Sequence, residues 1–240
     1  MDQSEVILPL NSGSETESSH SYLLGLFSLL ATFITISLYF GPYSTIKQII
    51  QKKSVGSVAG LQFIMTSLSC FLWVCYAVLT SNKTMFLVNN IGFILSSYYA
   101  YIYWLYSHES KFKFQVIGGF LIGVSILGFS FSSSDHQVRV DNLGILSCVI
   151  CVLMFASPLE KLSSVIRLKN SDGMLKQVAI GSLLCGLSWT VFGLLIDDVY
   201  VYGPNILASI LSFIQVSLIL VYPPPNLPMH GSSSIVDQVY

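Results

Sequence analysis

Residues 69–96, SCFLWVCYAVLTSNKTMFLVNNIGFILS, and residues 185–212, CGLSWTVFGLLIDDVYVYGPNILASILS, decide the fold. Laid on one another with a shift of 116 residues and no gap, Trp73 falls on Trp189, Tyr76 on Phe192, Asn89 on Asn205 and Ile94-Leu95-Ser96 on Ile210-Leu211-Ser212. The same shift carries Pro42 onto Pro158 and Lys53 onto Lys169. Overall identity is low, but the landmark residues keep their spacing. An internal repeat of this kind governs the architecture more than any single element does.

Both stretches are apolar, and so is the rest of the chain. Of 240 residues, 53% are hydrophobic and only 10% charged, with a mean hydropathy of +0.70. A soluble domain carries about 25% charged residues. Seven segments approach the ~20 apolar residues that a membrane-spanning helix needs: 22–46, 58–80, 85–107, 114–131, 142–165, 174–196 and 199–222. The expected fold is an all-α membrane protein with seven transmembrane helices. Spans one to three form one bundle (21–110), a linker helix follows (111–135), and spans five to seven form a second bundle (136–222). The first 20 residues are Ser- and Glu-rich without Lys or Arg, unlike a signal peptide, and predict a disordered tail. Residues 223–240 predict a second tail.

Charge gives direction. Lys47, Lys52, Lys53, Lys111, Lys113, Lys161, Arg167, Lys169 and Lys176 fall at one end of the antiparallel spans, and only Lys83 and Arg139 at the other. The positive-inside rule places the first set in the cytosol. The N-terminus is then extracellular or luminal and the C-terminus cytosolic, in the plasma membrane or an endomembrane. A net charge of −1 gives no attraction to nucleic acid.

With three spans in each half and one between them, the halves run parallel about an axis along the membrane normal. A transporter's substrate site commonly lies at such a seam. Asn89 and Asn205 stand inside spans three and seven, where a bare amide is costly. An interhelical hydrogen bond is one use for them. Recognition of a hydroxyl-rich solute is the other, since an amide offers donor and acceptor together. Trp73 and Trp189 lie about 7 residues, or ~10 Å, from the ends of spans two and six by helical rise, deeper than an interfacial belt. Their indole faces suit stacking on a sugar ring. Pro42 and Pro158 remove helix hydrogen bonds and serve as static kinks or as hinges.

Cys148 and Cys151 share a CxxC spacing, but inside an apolar helix this reads as packing. No disulfide, metal cluster, phosphate loop or nucleophile–base pair is expected, so the chain is not read as an enzyme and calls for no cofactor. No Asp, Glu or His lies deep in a span. Proton-coupled carriers use such groups, so uncoupled transport is expected.

The 3+1+3 plan, Tyr39-Phe40-Gly41-Pro42, Phe155-Ala156-Ser157-Pro158-Leu159, Trp73-Val74-Cys75-Tyr76, Val88-Asn89 and Pro204-Asn205 resemble the SWEET sugar transporters over residues 22–222. The resemblance implies bidirectional facilitated diffusion of mono- or disaccharides, with Asn89, Asn205, Trp73 and Trp189 around the sugar. It implies an outer gate at Tyr76 and Asp198. The family often carries four prolines near its inner gate. Here Pro42 and Pro158 remain, Gln62 takes the span-two place, and the start of span six has Gln177 and no proline. The alternatives are an amino-acid transporter of the related PQ-loop group and a seven-helix receptor, which leaves the repeat unexplained. The expected partners are a sugar, with glucose favoured by the narrow space between paired tryptophans, and the lipid bilayer. A homo-oligomer fits the same plan.

Overall fold

A computed structural model describes residues 12–224, and among these every regular element is an α-helix. They are α1 (Ser12–Tyr39), α2 (Tyr43–Lys52), α3 (Leu61–Leu79), α4 (Lys83–Tyr106), α5 (Ser110–Ser130), α6 (His136–Met154), α7 (Ala156–Leu168), α8 (Lys176–Leu195) and α9 (Val199–Val221). Among the described residues, seven spans are long and apolar enough to cross a membrane. Spans one and five are each two helices. The first breaks at Phe40-Gly41-Pro42 and the second at Phe155, because a proline denies the carbonyl four residues back its partner. One expectation changes: α1 begins at Ser12, so residues 12–20, read from composition as disordered tail, are helical. The apolar turns that follow carry the helix past its membrane-length core. Residues 1–11 and 225–240, the rest of the two expected tails, lie outside the described residues.

The helices pack in the same order in both halves. In the first, α4 lies between α1 and α3; in the second, α9 lies between α6 and α8. Across the seam α1 meets α8 and α3 meets α6. Exchanging the halves turns one of these contacts into the other, as a two-fold axis requires. The linker helix α5 rests on α3 and α6. It leaves Phe114, Ile117, Phe120 and Leu121 bare, a surface suited to lipid and costly in water.

Nine of the eleven Lys and Arg residues stand at one end of the bundle, here called the lysine-rich end. Two apolar cores sit at different depths. One runs along the seam and holds Trp73, Tyr76, Val88, Trp189, Phe192 and Val201. The other lies at the lysine-rich end of the first half, where Ile46 and Ile49 of α2 meet Phe63, Tyr99, Tyr103 and Phe112. A Cβ on Gly60 would stand 2.6 Å from both the Phe112 and Tyr103 rings, so glycine there lets the aromatic base close.

Candidate functional site

The seam encloses a cavity of about 270 Å³. Its wall is built in pairs. Trp73 on α3 donates its indole N–H across the seam to Cys151 Sγ on α6 at 3.3 Å, and Trp189 on α8 donates to Thr35 Oγ1 on α1 at 2.8 Å. Thr35 and Cys151 are separated by the same 116 residues as the two tryptophans, so the bonds are copies of one another. A second pair follows the same rule. Ser69 shares a hydrogen bond with Cys151 at 3.6 Å, and Cys185 shares one with Thr35 at 3.2 Å. Each indole is therefore fixed by a residue of the opposite half. Each is also braced edge-on by the ring one turn away: Trp73 with Tyr76 at 5.3 Å and Trp189 with Phe192 at 5.4 Å.

The two amides line the same cavity. Asn89 Nδ2 donates to the Met85 carbonyl at 2.9 Å, and Asn205 Nδ2 to the Val201 carbonyl at 2.7 Å. Each bond stays within its own helix, and among the described residues neither side chain bonds to another helix. The bond holds the amide's orientation while using only one of its N–H groups. Pro204 also lines the cavity. The Tyr200 carbonyl that it deprives of an amide receives the Cys148 thiol at 3.3 Å, the kind of local repair that lets proline sit inside a membrane helix. No charged side chain lines the cavity among the described residues.

Beyond the tryptophans, away from the lysine-rich end, Tyr76 donates its hydroxyl to both carboxylate oxygens of Asp198, at 3.0 and 2.9 Å. Asp198 is also the N-cap of α9, accepting from the amides of Tyr200 at 3.0 Å and Val201 at 3.3 Å. Tyr76 is 1% exposed. Tyr200 packs edge-on against it at 6.0 Å, and its ring occupies a place that any Cβ on Gly144 would invade.

Toward the lysine-rich end the wall continues to Tyr39 and Phe155, beside the two helix breaks. Here α2 packs on α4 and α7 on α9, each within its own half. Pro42 and Pro158 stand at the breaks, half-buried and outside the cavity wall. Gln62 is exposed and donates to Thr66 of its own helix at 3.3 Å, and Gln177 is exposed on the first turn of α8. Neither glutamine lines the cavity. Sequence reading missed Thr35, Ser69, Cys151 and Cys185. Their signal was the repeat itself, which superposes Thr35 on Cys151 and Ser69 on Cys185.

Comparison with known proteins gives one family. Residues 25–111 and 141–227 each match the model of the family described as "Sugar efflux transporter for intercellular exchange". The chain is 51% identical over 214 residues to sugar transporter SWEET1 of Dictyostelium discoideum, covering 87% of this chain and 97% of that one. It is 29% identical to bidirectional sugar transporter SWEET7b of Oryza sativa subsp. indica, covering 81% of this chain and 76% of that one. A solved eukaryotic SWEET transporter superposes with a TM-score of 0.76 at 26% identity, covering 85% of this chain and 98% of that one.

Proposed function

The chain belongs to the SWEET family of sugar efflux transporters for intercellular exchange, and from that premise we propose that it is a bidirectional, uncoupled sugar uniporter. It works by alternating access on a monosaccharide such as glucose. The observation that carries the reading is the two-fold cavity: two indoles held across the seam, and two amides held by their own helices, all aimed at one space.

The chemistry suits a neutral polyol. Indole faces cover the C–H faces of a pyranose and exclude water, while the free amide oxygens accept sugar hydroxyls. About 270 Å³ is small against the ~300–1,000 Å³ of common small-molecule sites, which favours one ring over two. An amino acid brings an ammonium and a carboxylate, and the uncharged wall offers neither a counter-ion, so desolvation opposes it. No carboxylate or imidazole lines the cavity among the described residues, which favours transport without protons.

The positive-inside rule supports a cytosolic lysine-rich end, with the N-terminus outside or luminal. On this reading the bond between Tyr76 and Asp198 is the shut outer gate. The cavity wall reaches Tyr39 and Phe155 at the breaks, where Pro42 and Pro158 let α2 and α7 turn relative to the rest of their spans. Rocking of the halves about the seam then opens one end as it closes the other. Gln62 and Gln177 replace prolines at places outside the cavity, so their part is in the swing of spans two and six and not in sugar contact.

The test is labelled glucose flux in proteoliposomes, in both directions, with and without a pH gradient. Saturable flux in both directions that ignores the gradient is expected. Flux that follows the gradient would overturn the uncoupled mechanism. Amino-acid flux with no sugar flux, in protein shown to be folded, would overturn the substrate.

A further inference from the structure

Three of the five cysteines, Cys70, Cys151 and Cys185, line the cavity. All are free thiols. Each is bonded to a side chain of the same wall: Cys70 with Tyr39 at 3.2 Å, Cys151 with Trp73 at 3.3 Å, and Cys185 with Thr35 at 3.2 Å. The other two, Cys75 and Cys148, are not part of that wall. A thiol in the lining of a solute cavity differs from a packed one because whatever the cavity admits can reach it.

We propose that this cavity is also a covalent binding site for small, uncharged thiol-reactive compounds of the organomercurial class, and that such a compound and the sugar exclude one another. The inference rests on the reading of the cavity as the sugar site. An uncharged wall admits a neutral reagent and penalises a charged one, which must shed its hydration. Mercury is soft, and soft metals choose thiolate sulfur over oxygen and nitrogen donors. With methylmercury chloride the step is a substitution. The S–H proton goes to water, the Hg–Cl bond breaks and chloride leaves with its electron pair, and an S–Hg bond forms. Nothing is oxidised or reduced.

The three positions differ in consequence. An adduct on Cys151 puts a methylmercury group in place of the S–H proton, against the sulfur that receives the Trp73 N–H at 3.3 Å, and its bulk unseats one wall of the site. An adduct on Cys185 leaves Trp189 bonded to Thr35 and acts by bulk alone. An adduct on Cys70 displaces the Tyr39 hydroxyl.

The experiment uses the full chain in proteoliposomes, in the Cys75→Ser/Cys148→Ser background so that only cavity thiols remain. Methylmercury adducts are located by peptide mass spectrometry, and glucose flux is followed in parallel. Adducts on Cys151 and Cys185 and loss of flux are expected. Glucose at ~10 times its half-saturating concentration should slow adduct formation about tenfold, as competition for one site requires. A thiol reagent bearing a sulfonate should be slower than its neutral analogue. Cys151→Ser/Cys185→Ser, measured as the fraction of its own uninhibited flux, should lose most of its sensitivity. Absence of adducts on the cavity thiols would overturn the proposal, as would inhibition that persists in Cys70→Ser/Cys151→Ser/Cys185→Ser. Should that variant not fold, the adduct map of the parent chain decides alone. Adducts that form at the cavity thiols but ignore glucose, other sugars included, would leave the thiol site standing and remove the sugar reading instead.

Discussion

The two halves of the molecule repeat one another closely where they face the cavity and part company at its outer rim. Both send an indole N–H across the seam to the same place on the opposite half. Both fix an asparagine on the carbonyl four residues back. Both end the second helix of their broken span with a lysine in the left-handed region, Lys53 at φ 51° and Lys169 at φ 50°. Both turn between their second and third spans through a left-handed residue, Ser81 at φ 55° and Asp197 at φ 52°, and cap the next helix with Asn82 or Asp198. The difference is two side chains. Tyr76 and Asp198 close the rim, whereas their repeat partners are Phe192, which lacks the hydroxyl, and Asn82, which lacks the charge. What both halves keep lines the cavity proposed to take the solute. What one pairing alone carries is the proposed gate.

The largest expected effect tests the shared part. Asn205→Ala should reduce glucose flux about a hundredfold with surface expression intact, and Asn89→Ala should do the same, since each strips a positioned polar group from a desolvated site. Wild-type flux in either mutant would remove the amide pair, and a large gap between the two would show that the symmetric wall binds asymmetrically. Next comes the unshared part. Tyr76→Phe removes a hydroxyl bonded to a carboxylate and should shift the gate toward open by about tenfold or more, read as a longer spin-label distance across the rim. Phe192→Tyr alone should leave that distance unchanged. Smaller still is the seam. Thr35→Ala strands a buried indole N–H and should lower stability by ~1–3 kcal/mol, while Cys151→Ala should cost less because sulfur accepts weakly. Equal losses of thermal stability would mean that sulfur and oxygen anchor the tryptophans equally well. The smallest effect is expected from Asn82→Asp/Phe192→Tyr, which writes the latch onto the other pairing. A second latch of ~1 kcal/mol would slow flux a few-fold. Unchanged flux would show that the halves do not superpose at the rim.

Much of this was legible in the sequence because it is periodic. Span number, the 3+1+3 order and the matched depths of the tryptophans and asparagines follow from hydropathy and one shift of 116 residues. The anchors were not legible for a chemical reason. Cysteine counts as apolar on any hydropathy scale, so Cys151 and Cys185 read as filler, although a thiol bonds well enough to hold an indole. The amides were visible but their partners were not, since a bond to the carbonyl four residues back leaves no trace in spacing. Gln62 and Gln177 drew attention as replacements for proline, yet replacement says nothing about direction, and both side chains are exposed. The helical start at Ser12 escaped because a polar stretch joined to a long apolar helix takes its conformation from the neighbouring turns and not from its own composition.

If the halves rock as proposed, the carboxylate of Asp198 has one consequence for speed. Two of its donors, the amides of Tyr200 and Val201, belong to its own helix and stay with it when the halves part. The receiving side of the latch is therefore in its bound rotamer while the gate stands open. Its ordering entropy is lost once, when the protein folds, and not again on every turnover. Reclosure asks only for the return of a hydroxyl from Tyr76, itself braced edge-on by Trp73. The time spent open is then governed by the slow swing of the helical halves, with no side-chain search added to it.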